Sequence, residues 1–168
     1  MARQSAHLPL VYSCSGCSSA AQLANTLALR LDRDGEAQMS CIAGVGADIP
    51  SFVRQAASGR PMLALDGCPL ACVRGCLKRH GVEPDRYVQL HEHGVKKSYG
   101  RDAEDADVER LYPRVVELAR EIRPDREREK KVIRLAIPPH NDLSDRNQGR
   151  AGSLASAPVA AGPRTTKA

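Results

Sequence analysis

Between Asp66 and Cys76 the chain reads Asp-Gly-Cys-Pro-Leu-Ala-Cys-Val-Arg-Gly-Cys, so that Cys68, Cys72 and Cys76 fall at i, i+4 and i+8. That is helical spacing, and it lines three thiols along one side of a helix. The preceding run, Pro61-Met-Leu-Ala-Leu65, is short and apolar, as a buried strand is. Pro69 suits the first helical position, where its missing N–H has no partner in any case. Cys68 is then expected at or near the N-cap, Cys72 one turn in and Cys76 two turns in. A helix N-terminus carries partial positive charge and favours a thiolate over a thiol. The chemistry this stretch points to is thiolate chemistry.

The rest of the chain supplies a frame for it. Leu8-Pro-Leu-Val-Tyr12 reads as a first strand and runs straight into Cys14-Ser-Gly-Cys17. Ser19 with Gln22 three residues later has the form of a capping box. The helix that follows carries Leu23, Leu27 and Leu31 in one stripe and ends near Asp34-Gly35. Ala37 to Ile42 is a second strand holding Cys41, and Asp48-Ile-Pro50 starts another helix that Gly59 stops. Met62 to Leu65 is the third strand. The cysteine helix follows and runs to His80, with Gly81 at its C-cap. Arg86 to Leu90 is the fourth strand, and Asp105 to Ile122 is a helix with Val108, Leu111, Val115, Leu118 and Ile122 in register. Alternation of this kind predicts an α/β fold, a small three-layer sandwich around a mainly parallel four-stranded sheet. A flavodoxin-like strand order, 2-1-3-4, suits it.

Residues 1–123 carry 16 Lys and Arg against 15 Asp and Glu, while the last 45 residues carry 9 against 5. The basic balance therefore belongs to 124–168, a Gly, Ala, Ser, Pro and Arg-rich segment expected to be a largely disordered tail, and 1–123 is the folded domain. A near-neutral domain with 3% aromatic residues offers no basic face interleaved with aromatics, so no nucleic-acid partner is expected. No stretch approaches the ~18 apolar residues of a membrane span, and Leu8 to Tyr12 is too short for a secretory leader. A cytoplasmic protein is expected. There, six cysteines point to metal binding or catalysis rather than disulfides.

In a parallel sheet every loop after a strand emerges at the carboxyl edge. Cys14 and Cys17 follow strand one, Cys41 closes strand two and Cys68 follows strand three, so distant segments deliver thiols to one rim. A zinc ion takes four ligands at about 2.3 Å, and Cys68 and Cys76 would lie about 12 Å apart along a helix. The leading metal-ligand set is therefore Cys14, Cys17, Cys68 and Cys72, with Cys41 as substitute and Cys76 as an additional candidate. A Cys72–Cys76 pair is the alternative. His91 and His93 form an H-x-H pair that reads as surface loop. Gly44-Val-Gly46 lacks the rest of a phosphate-loop motif and is discounted. Asp66 precedes a tight turn and is expected to stabilise it. No catalytic set of Ser, His and Asp or of paired carboxylates stands out, and no organic cofactor site.

Tyr12-Ser-Cys-Ser-Gly-Cys17, Ser40-Cys-Ile-Ala-Gly-Val-Gly46 and Asp66-Gly67-Cys68 with Cys72 and Cys76 resemble the DGC-domain family, from about Leu8 to Leu118. The resemblance implies a cysteine-bound metal, zinc first, in a structural or metal-handling role, and it supplies no reaction. Two other functions suit the same residues. One is thiol redox or sulfur transfer through Cys14 and Cys17. The other is an iron–sulfur cluster. The metal ion is the only partner that the sequence names.

Overall fold

The computed structural model describes residues 7–124, so all of the expected tail after Pro124 lies outside the described residues. Four strands, β1 (Leu10–Ser13), β2 (Gln38–Met39), β3 (Met62–Asp66) and β4 (Arg86–Gln89), form one sheet. Its order is β2-β1-β3-β4 and every pairing is parallel, with Leu10 opposite Met62 and Leu63 opposite Arg86. The expected 2-1-3-4 arrangement is thus the observed one. Strands β1 and β3 are central, and all their residues are buried, which explains their unbroken apolar runs.

Five helices cover the sheet: α1 (Ser19–Arg33), α2 (Ile42–Gly46), α3 (Pro50–Ala56), α4 (Cys72–Arg79) and α5 (Asp105–Glu121). Helix α1 packs on α5, and α2 packs on both α3 and α4. Right-handed crossovers put these two groups on opposite faces of the sheet, giving three layers. Helix α1 buries Leu23, Leu27 and Leu31 with Ala20, Ala24 and Ala28, the stripe its sequence presents. Among the described residues no helix is long and apolar enough to cross a membrane.

Two helix starts differ from the sequence expectation. The N-cap of α1 is Ser18, whose hydroxyl accepts from the Ala21 amide, and Gln22 donates to the Gly16 carbonyl instead of closing a capping box on Ser19. Ser19 is turned outward to the 96–98 segment. Helix α4 starts at Cys72, one turn later than Pro69 suggests. Pro69 occupies the second position of a tight turn in which the Ala71 amide donates to the Cys68 carbonyl, and Ala71, the residue before the helix, is left-handed at φ 49°. Proline is as favourable there as at a helix start. The three cysteines therefore do not share one helix: Cys68 lies in the turn, Cys72 is the first helical residue and Cys76 is one turn in.

The other end of α4 is as expected. Gly81 takes φ 68° and donates to the Lys78 carbonyl, while Val82 donates to Leu77, the two-bond closure that favours glycine after a helix. Gly44, Val45 and Gly46 belong to the short helix α2, not to a phosphate loop. His91 and His93 fall in a single 3-10 turn, Leu90–His93, that follows β4.

Candidate thiolate rim at the carboxyl edge of the sheet

Cys14 directly follows β1 and stays in its ladder, its amide donating to the Leu65 carbonyl at 3.0 Å. Its thiol is buried and accepts a hydrogen bond from the Gly67 amide at 3.1 Å. Burial pushes the thiol up to about 11, against the Gly67 amide, and the nearby charges of Asp66, Cys72 and Cys68 push the same way. Gly67 can only be glycine: a Cβ there would stand 2.3 Å from the Ala20 carbonyl oxygen and 2.9 Å from the Ala21 nitrogen. The first turn of α1 and the turn after β3 are in backbone contact, and this brings Cys14 beside Cys68.

Asp66 holds the second half of the rim. It is buried, and its two carboxylate oxygens accept from the Val73 amide at 3.0 Å and the Arg74 amide at 3.2 Å. The Tyr87 hydroxyl donates to it as well, at 3.2 Å. Asp66 therefore acts as the N-cap of α4 from a distance, satisfying amides that the left-handed Ala71 leaves open. The carboxylate in turn pushes the Tyr87 hydroxyl up, after burial as the main cause. Cys72 is exposed at the start of this helix. Cys76 is half-buried, close enough to α2 that a Cβ at Gly46 would lie 3.1 Å from its sulfur. Burial raises the Cys76 thiol, and the charges of Cys72 and Asp66 add to that while Arg79 opposes it.

Cys68 is half-buried in the turn, and its carbonyl accepts from the Gln89 side chain at 2.8 Å. Lys97 reaches over from the segment after β4, its ammonium 5.2 Å from the centre of the Tyr99 ring. That ammonium is held above the ordinary lysine value, first by Tyr99 and further by Cys68. Cys17 is exposed just ahead of the Ser18 cap, and Cys41 is exposed as the residue before α2. The fold thus brings Cys14, Cys68 and Cys72 within electrostatic reach of one another, with Cys76 beside Cys72. Cys17 and Cys41 flank them at the same sheet edge.

The donor chemistry suits a thiophilic ion. As placed, however, no three His, Cys, Asp or Glu side chains among the described residues form a ready coordination group. The thiols share a rim without being drawn into a shell. Tyr87, Gln89, Lys97 and Tyr99 are contributors that sequence reasoning missed. They sit in a strand and a polar loop with no motif to mark them.

Comparison with known proteins agrees with this framework. The family model described as the DGC domain matches residues 10–115. The chain is also 65% identical over 117 residues to the "Anaerobic and virulence modulator AnvM" of Pseudomonas aeruginosa, which spans 70% of this chain and 87% of that protein. No solved structure matches.

Proposed function

Since the chain belongs to the DGC domain family, we propose that it is a zinc-handling protein, with an open and exchangeable thiolate site on the carboxyl edge of the sheet. The observation that supports this is the split in burial around one rim: Cys14 is buried against Gly67 while Cys17, Cys41 and Cys72 face solvent. A closed structural Cys₄ site stands in for a core that a small domain lacks. Here strands β1 and β3 and the stripes of α1, α4 and α5 already make a continuous core, and Cys14 is its only cysteine. Cys14, Cys68 and Cys72 would hold the ion, with Cys17 the fourth ligand and Cys41 or Cys76 available for transfer. Bound zinc would supply a thiolate-ligated cation for delivery or sensing. AnvM is named as a modulator, and by that relation we extend a modulatory rather than metabolic role to this chain. The cytoplasm, where thiols stay reduced, is the compartment this reading requires.

Thiol redox through Cys14 and Cys17 is less well supported. An attacking thiol works best with a value near ambient pH, and Cys14 is buried and held near 11. Cys17 stands before the cap, not within the first helical turn.

The test is metal content and visible spectrum of the untagged full chain, purified anaerobically with zinc and iron both supplied, then melted with and without a chelator. Stoichiometric zinc, no visible band and a cooperative transition that survives chelation are expected. Cys14→Ser, Cys68→Ser and Cys72→Ser should each lower zinc content. Loss of all cooperative structure on chelation would instead assign the zinc to the fold. Iron with acid-labile sulfide would make this a cluster protein, and a metal-free chain would return the thiol-redox account.

A further inference from the structure

Beside the thiol rim, between the first turns of α1 and the segment from Gly94 to Asp107, lies a cavity of about 510 Å³, within the ~300–1,000 Å³ usual for small-molecule sites. Leu23, Val95 and Ala103 give it an apolar floor. Its charged lining is Lys96 and Arg101 on one hand and Asp102, Glu104 and Asp107 on the other. Several opposite charges elsewhere do pair: Arg30 with Glu109, Arg79 with Asp48, Arg86 with Glu121, Arg114 with Glu117, and Glu36 with both Arg120 and Arg123. In the cavity only Asp107 is so engaged, by Arg110. The side chains of Lys96, Arg101, Asp102 and Glu104 make no ion pair or hydrogen bond among the described residues.

The walls also differ in polarity. Helix α1 opens onto the cavity with no acidic residue in its first turn, while α5 opens with Asp105 and Asp107. The intervening wall is fixed in place. The Ser19 amide donates to the Ser98 carbonyl at 2.9 Å, the Ser98 amide donates to the Ser19 hydroxyl at 3.1 Å, and Ser18 bridges to Tyr99. Charges of both signs without partners in the lining of one cavity attract a solute that carries both. We propose that this cavity binds a zwitterionic small molecule of the amino-acid or short-peptide class. Its carboxylate would lie toward Lys96, Arg101 and the start of α1, and its ammonium toward Asp102 and Glu104. Ser19 is two residues beyond Cys17, and Lys97, between two wall residues, borders Cys68, so the bound molecule sits next to the thiols. The inference stands apart from the zinc reading and uses none of the cysteines as contacts.

The experiment is calorimetric titration of the reduced full chain, under a phosphine reductant, with glutathione, S-methylglutathione and free glutamate. Glutathione and its S-methyl form should bind saturably and alike, and less tightly as salt is raised. The double variant Lys96→Gln/Arg101→Gln should bind both about tenfold more weakly with an unchanged melting temperature, and Glu104→Gln should weaken them too. Glutamate binding as tightly as the peptides assigns a free amino acid, and weaker glutamate assigns a peptide; either supports the cavity. Absence of saturable binding for all three, or binding untouched by the double variant, overturns it. So does binding of glutathione alone that is lost in Cys17→Ser or Cys68→Ser, since that would be thiol chemistry at the rim. None of these outcomes bears on zinc content.

Discussion

Replacing Gly67 by alanine puts a methyl group where the backbone of α1 already is. The new Cβ would lie 2.3 Å from the Ala20 carbonyl oxygen, 2.5 Å from its carbon and 2.9 Å from the Ala21 nitrogen. All three are backbone atoms of a 15-residue helix, so no side chain can swing aside, and either α1 or the turn after β3 must move. Overpacking of a tight core costs about 1–3 kcal/mol, and contact with backbone alone argues for the upper end, about 3 kcal/mol. For a urea slope of about 1.5 kcal/mol/M the midpoint would fall by about 2 M. Gly75, eight positions on, is the internal control. It lies exposed in α4, and a methyl group added there would meet nothing within 4 Å, so Gly75→Ala should stabilise by about 0.5–1 kcal/mol. Urea unfolding of both variants at one pH decides the matter. A Gly67→Ala midpoint within about 0.3 M of the parent, or a drop for Gly75→Ala as large as for Gly67→Ala, would refute the reasoning.

Other expectations follow from the same contacts. Asp66→Ala leaves two helix amides and the Tyr87 hydroxyl without their acceptor and should cost about 2–4 kcal/mol, with Asp66→Asn intermediate; equal costs in chemical denaturation would count against the capping role. In metal-free protein, mass-mapped alkylation should label Cys17, Cys41 and Cys72 early and Cys14 last, since Cys14 is buried and pushed to about 11; uniform labelling would contradict that order. The Arg120 hydrogen bond, with the charges of Arg120 and Arg123, holds the Glu36 carboxyl below its ordinary value. Its stabilisation is therefore complete above the unfolded carboxylate value of about 4.3 and is lost as pH falls through the lower folded value. Glu36→Gln should lower stability at pH 7 by about 1 kcal/mol and change it little near pH 2, as read from urea midpoints at both.

The central strands and the stripe of α1 were legible because each is written in local periodicity: unbroken apolar runs for central strands, leucines every fourth residue for a covered helix. The layers followed from the alternation of strand and helix, and the 2-1-3-4 order only as one that suits it. The start of α4 was not. Pro69 fits a helix start and a tight turn equally well, and what decides between them is Asp66 reaching the Val73 and Arg74 amides across the turn. Ser18 and Ser19 posed the same problem for α1, because both can cap and only the pull of the 96–98 segment on Ser19 separates them. Gathering of the thiols at one edge followed from the parallel sheet alone. Their unequal burial did not, since it depends on Gly67 lying against Ala20, a contact between residues 47 positions apart. The charged cavity left no trace in pattern at all, because a polar loop looks the same whether or not its charges find partners.

The Asp66 clamp also bears on how the rim breathes. Amides in a first helical turn ordinarily exchange their hydrogens quickly, because helix ends fray. Those of Val73 and Arg74 are tied to a carboxylate on β3, which is itself tied to Tyr87 on β4. They should exchange on the slow schedule of the central sheet, hours rather than seconds, while Cys72 just ahead of them stays open to solvent. The rim is thus open to solvent at Cys17, Cys41 and Cys72, while the start of α4 is anchored to the sheet, so Cys72 can be reached without the helix that carries it coming loose.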